Sequence, residues 1–129
     1  MTHVIVLKNL KNDEIVFQGN GEMIIEENGN WKISFQDRSR TFHYAFEEPR
    51  YVMDHKTDMA VHLEFDENEE KNGWIETVYG RIDVQVKTRF LQVMKDAIEF
   101  AYTLSIHGEE ETFHFRLEYT KRSDEVCKQ

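Results

Sequence analysis

Apolar residues at every other position, strand after strand, constrain this chain more than any other feature. Four consecutive segments between Met59 and Thr120 show the pattern. Met59, Val61, Leu63 and Phe65 alternate with Ala60, His62 and Glu64, and Ile82, Val84 and Val86 with Arg81, Asp83, Gln85 and Lys87. Ile98, Phe100, Tyr102, Leu104 and Ile106 alternate with Glu99, Ala101, Thr103 and Ser105, and Phe113, Phe115, Leu117 and Tyr119 with His114, Arg116 and Glu118. A period of two puts one face of each strand in a core and the other in water. No helical stretch interrupts the four, so the pattern specifies an antiparallel, meander-like barrel or sandwich.

Turn signals recur at short intervals through the whole chain: Asn9 to Asp13, Gly19-Asn20-Gly21, Asn28-Gly29-Asn30, Asp37-Arg38-Ser39, Glu48-Pro49, Asp66 to Gly73, Gly80 and His107-Gly108. That spacing is typical of an all-β barrel or sandwich. Asn28-Gly29 is the strongest hairpin signal, joining Glu22–Glu26 to Trp31–Phe35. Ile15 and Phe17 share one face of a strand from Glu14 to Gln18. Phe42, Tyr44 and Phe46 share a face of another, and Tyr51, Val52 and Met53 form the next. Val4 to Leu7 is too uniformly apolar for a strand with one wet face, which predicts burial on both sides or closure of a barrel end. Asp66 to Asn72 is acidic and predicts an exposed loop. Leu91 to Ala97 reads equally as one helical turn or as an extension of the strand before it.

Two registers fit the turn near Tyr79-Gly80. A two-residue turn at Tyr79-Gly80 needs positive φ at both positions and points Trp74 at water. A three-residue turn with Gly80 at positive φ places Trp74 opposite Val84, on the core face. The second is preferred, because it buries the tryptophan and gives glycine the strained position.

The segment from Met59 to Tyr119 resembles the YwiB-like family of small bacterial proteins of unknown function. The resemblance lies in the order of Met59-x-Val61-x-Leu63-x-Phe65, Gly73-Trp74-x-x-Thr77-x-Tyr79-Gly80, Thr88, Tyr102-x-Leu104 and Phe113-x-Phe115-x-Leu117, with Gly19 and Asn28-Gly29-Asn30 suiting the opening hairpins. It implies a calycin, or lipocalin-like, antiparallel barrel. It implies no catalytic residues and no ligand. Family members often carry a basic-x-Gly turn before the strand starting at Met59; here the glycine is replaced by Thr57 in His55-Lys56-Thr57-Asp58.

Composition narrows the function classes. At 129 residues the chain fits one domain, 1–129, with a frayed polar tail over 121–129. Its one cysteine, Cys127, rules out an internal disulfide and a multi-cysteine zinc site. The opening has too few apolar residues for a secretory signal, and no apolar run is long enough to span a bilayer, so the expectation is a soluble, cytoplasmic protein without a membrane partner. Twenty-five acidic residues against 16 basic give a net charge of −9, which repels phosphate backbones. The small basic groups Lys87, Arg89 and Lys95, and Arg38 and Arg40, read as a solvated surface, so no nucleic-acid partner is expected.

No pattern carries chemistry. His43, His62 and His114 fall on the polar phase of their strands, where Glu64 or Glu118 could complete a metal site, but none of the six histidines shows ligand spacing and no metal or cofactor is expected. The carboxylate pairs sit mostly in turns, and the serines lack a glycine-flanked elbow. No catalytic residue is assigned, and the chain leans away from being an enzyme.

The aromatics are suggestive. Most of Trp31, Phe35, Phe42, Tyr44, Phe46, Phe65, Phe90, Phe100, Tyr102, Phe113, Phe115 and Tyr119 share the inward phase. They can fill a barrel or line a pocket. The reading is one all-β, calycin-like antiparallel barrel of about eight to ten strands, with at most one short helical turn. It is expected to bind a small, mostly apolar ligand inside. The walls would be Phe42, Tyr44, Phe46, Phe65, Phe100, Tyr102, Phe113 and Phe115, with Thr77 and Thr88 as polar anchors. The alternative is a solidly packed barrel that meets a protein partner, as monomer or homodimer.

Overall fold

The computed structural model describes residues 2–47 and 50–121, and every regular element among them is a strand. In chain order these are β1 (Thr2–Asn9), β2 (Glu14–Ile25), β3 (Trp31–Gln36), β4 (Thr41–Glu47), β5 (Arg50–Lys56), β6 (Ala60–Phe65), β7 (Lys71–Thr77), β8 (Gly80–Val93), β9 (Ala97–Ile106) and β10 (Glu109–Lys121). Each strand pairs antiparallel with its neighbour in sequence, and β10 returns to pair with β1, so the sheet closes and leaves no edge. This is the calycin-like barrel expected, at the upper end of the expected strand count. The expected turn at Glu48-Pro49, Cys127 and residues 122–129 of the polar tail lie outside the described residues.

The second half holds five strands where the alternation marked four; the addition is β7. The stretch Leu91 to Ala97 resolves toward strand, because β8 runs on to Val93 and pairs it with Ile98. β1 has one wet face after all. Ile5 and Leu7 are fully buried inside, while Val4 and Val6 lie on the outer wall.

Gly19-Asn20-Gly21 is no turn. β2 runs straight through it, pairing with β1 on one side and then with β3 on the other. The reason is crowding: a Cβ on Gly21 would stand 2.7 Å from Ile5 Cγ1 and 2.9 Å from the Ser34 carbonyl. Glycine is there to let three strands approach.

Trp74 faces outward, against the preferred register. The turn is Val78-Tyr79, so Thr77 pairs with Gly80, Trp74 with Asp83 and Gly73 with Val84. Gly80 does take positive φ, at 124°. Gly73 occupies the inward position because a Cβ there would meet the His62 carbonyl at 2.5 Å and Leu63 Cδ2 at 2.8 Å. Trp74 stacks on His62 of β6 at 5.6 Å, and the Arg81 guanidinium of β8 lies 4.1 Å from its ring centre.

Phe90 also departs from the inward phase. A bulge between Thr88 and Phe90 adds one residue to β8, so Phe90 turns out against His114 and Leu91 takes the inward place opposite Phe100.

Candidate functional site

The inward positions of β3 to β6, β9 and β10 build one aromatic mass. Phe35 and Phe42 stack at 4.8 Å, Phe65 meets Tyr102 at 5.0 Å and Phe100 at 5.6 Å, and Tyr102 stacks on Phe113 at 5.2 Å. Tyr44 reaches Phe100 at 6.1 Å, joining strands that do not pair with each other. Of the expected walls, Phe42, Tyr44, Phe65, Phe100 and Tyr102 are buried; Phe46, Phe113 and Phe115 are half-buried against the same core. Ten strands enclose more width than eight, and these rings fill it. The void left among Trp31, Tyr44, Tyr51, Phe65, Leu91 and Phe100 is about 10 Å³, room for roughly one water. The eight rings lie in or against the core, where they pack on one another.

The two threonines part company. Thr88 is buried, and its hydroxyl accepts the Asp66 amide at 3.1 Å, which ties the β6–β7 loop to β8. Thr77 is at the tip of β7, where its hydroxyl accepts the Tyr79 amide at 3.0 Å and shapes the turn. It is a turn residue and no interior anchor.

The Tyr44 and Tyr119 phenols and the His55 imidazole have hydrogen-bond partners. Tyr44 Oη and His55 Nε2 are hydrogen-bonded at 2.7 Å inside the barrel. Burial pulls the His55 imidazole down to about 4, so it is neutral at physiological pH. Burial, with a smaller contribution from Tyr102, pushes the Tyr44 phenol well above its ordinary value. Tyr119 donates to the Met94 carbonyl at 3.1 Å.

The barrel's two ends differ. The turns Leu10–Asp13, Asp37–Arg40, Thr57–Met59, Val78-Tyr79 and His107-Gly108 share one end. There the Arg40 guanidinium lies 5.4 Å from the centre of the Phe42 ring and is held by Asp37 at 2.6 Å, while Lys11 Nζ lies 5.7 Å from the Phe113 ring and donates to the Thr112 carbonyl at 2.9 Å. Long basic side chains thus cover the aromatic core, their stems on the apolar surface and their charges outward. We call this the closed end.

The other end carries a cleft of about 230 Å³ lined by Phe46, Tyr51, Phe65 and Leu91 below and by Asp66, Glu67 and Asn68 on the rim. Phe46 and Tyr51 pack at 4.2 Å as a floor. Glu67 reaches from the loop to accept the Leu91 amide at 3.0 Å, and Asp66 accepts the Asn68 amide at 2.9 Å, so the rim is held in place. Tyr51, Phe65 and Leu91 line both this cleft and the small interior void. Sequence reasoning found Phe46 and Phe65 but missed Tyr51, Leu91 and the rim. The bulge that turns Leu91 inward has no local signature, and the acidic loop reads as mere solvated surface.

The histidines on the polar phase do lie outward, each in its own setting. His62 Nδ1 is 2.6 Å from Asp54 Oδ1, with Glu64 at 3.7 Å from Nε2. His114 Nε2 is 2.8 Å from Glu99, which also holds Arg116, and Arg116 in turn binds Glu118 at 2.9 Å. Among the described residues no three histidine, cysteine, aspartate or glutamate side chains are grouped as a metal would need, and no helix is long and apolar enough to cross a membrane.

No curated protein matches the chain. The crystal structure of the ywiB protein from Bacillus subtilis is similar in fold, with a TM-score of 0.64, 10% sequence identity and coverage of 94% of this chain and 89% of that one. A family model described as a domain of unknown function, DUF1934, matches residues 2–118. A closed calycin-like barrel, a fold shared with ywiB and a family match over nearly the whole length place the chain in one group: it belongs to the DUF1934 family, the YwiB-like β-barrel proteins.

Proposed function

We propose that the protein is a non-enzymatic binding protein whose site is the cleft at the open end, where it takes one small, mostly apolar group. The observation that carries this reading is the continuity between cleft and core. The cleft floor is the outer surface of the aromatic mass, and Tyr51, Phe65 and Leu91 front both the cleft and the void beneath it. Small-molecule sites combine an apolar floor with a few fixed polar groups, and this cleft does so. Its volume suits one ring or a short alkyl chain. No histidine lines it, and the His62–Asp54 and His114–Glu99 pairs lie on the outer wall, which supports binding over proton-transfer chemistry.

Native mass spectrometry of protein purified gently from its own source tests this, run beside the rim variant Asn68→Trp. An extra mass carried by the wild type and lost from the variant supports the cleft. An extra mass that survives in the variant, or no extra mass at all, counts against it.

A second reading, a module that docks a protein, rests on the closed end. Val78 and Tyr79 are 88% and 96% exposed on a turn fixed by Thr77, with Met59 exposed on the neighbouring hairpin. Solution mass measurement of the wild type against a Val78→Ser, Tyr79→Ser double variant separates the readings. A dimer that the variant abolishes favours docking; a monomer in both favours the cleft.

A further inference from the structure

The cleft's floor and rim together specify the ligand's polar head, granted the reading that the cleft is a binding site. We infer that the head is cationic, an ammonium or guanidinium group on a small aromatic or alkyl body. Two independent features point the same way. The floor is aromatic: the half-buried rings of Phe46 and Tyr51 line it over the buried Phe65, and aromatic rings attract cations. The rim is anionic: among the described residues its polar members are Asp66, Glu67 and Asn68.

The surroundings reinforce the sign. The turns Glu26–Asn30, Asp66–Glu70 and Met94–Asp96 at this end carry Glu26, Glu27, Asp66, Glu67, Glu69, Glu70 and Asp96 against Lys95 alone. The closed-end turns balance Asp13, Asp37 and Asp58 against Lys11, Arg38 and Arg40. These three open-end turns therefore carry seven acids against one base, and that local field attracts cations. Lys71, at the start of β7, is tied to Glu69 at 2.6 Å, and Arg50 faces Glu47 and Glu64. Neither lines the cleft.

Glu67 and Asp66 each already accept one backbone amide, through Oε2 and Oδ1 respectively. A carboxylate has lone pairs to spare for a second donor. The same bonds hold the carboxylates at the rim in advance, so an arriving cation meets a preformed charge pattern with little left to order.

The test uses three probes with one body: 4-phenylbutylammonium, 4-phenylbutan-1-ol and 4-phenylbutyrate, each titrated into the full chain and followed by amide chemical shifts. The expected result is shift changes at Phe46, Tyr51, Phe65 and Leu91, with the ammonium binding about tenfold tighter than the alcohol at low salt and the butyrate weakest. Raising the salt narrows the gap between ammonium and alcohol. The isosteric double variant Asp66→Asn, Glu67→Gln keeps both amide acceptors and removes both charges, so it should erase the ammonium's advantage while leaving the alcohol unchanged. Equal or tighter binding of alcohol or butyrate at the same residues overturns the cationic head and leaves the cleft standing. No shift at the cleft with any probe overturns both.

Discussion

At the closed end Arg40 covers Phe42 and Lys11 covers Phe113; at the open end Phe46 and Tyr51 face a cleft with Asp66 and Glu67 above them. Both ends are hairpin turns over the same aromatic core. What differs is the side chain that folds back. A long aliphatic stem with a charge at its tip can lie on a ring and still reach water. Short Asp and Glu side chains of the open-end loop hydrogen-bond to nearby amides instead, and so leave the rings uncovered. The sign and length of loop residues thus decide which end of a symmetric-looking barrel is sealed.

Truncating one ring at each end gives the largest effect. Phe42 is 1% exposed, and Phe42→Ala is expected to cost about 4 kcal/mol, whereas Phe46→Ala at the half-open floor costs about 1 kcal/mol. Urea denaturation measures both. Equal losses would break the comparison, because they would mean the open-end floor is packed as tightly as the closed end.

Acid should act through the interior pair. Burial depresses the folded-state pKa of His55 to about 4 from its ordinary 6.5, so the unfolded chain binds the extra proton between those values. Stability present above pH 6.5 is lost as pH falls toward 4, by up to about 3 kcal/mol. His55→Gln, which retains an acceptor near Tyr44, should flatten that part of the profile. An unchanged acid profile in the variant would assign the sensitivity elsewhere.

Smaller still is the lid itself. Arg40→Ala removes the cover on Phe42 and the bond to Asp37 and is expected to cost about 1 kcal/mol in thermal or urea melts, with part of the loss vanishing at high salt. The smallest effect belongs to the hairpin tip, where Tyr79→Ser should stay within about 0.5 kcal/mol. A larger loss there would show that the exposed tip is packed against something in solution.

Much of the fold was legible in the residues. The alternation of β9 and β10 places Phe100, Tyr102, Phe113 and Phe115 inward, and Asn28-Gly29 and His107-Gly108 sit at hairpin turns with glycine at positive φ. The misreadings have separate physical causes. Gly21 and Gly73 serve close approach between strands, and in a sequence that demand looks the same as a turn or a weak strand. Trp74 was assigned by its hydrophobicity, yet the outer wall offers it His62 and Arg81 as ring partners. Of the candidate site, Phe46 and Phe65 were found because they keep the period. Leu91 was lost because one bulged residue reverses the period beyond it.

What the sequence by itself determined is which residues face inward, since side-chain direction in a strand follows from backbone sterics two residues at a time. Only the tertiary structure decided that β10 returns to β1, that the aromatics pack on one another inside the barrel, and that one end is covered while the other holds a cleft. Those outcomes depend on the volumes and reach of side chains from all ten strands at once, and no local pattern carries that sum.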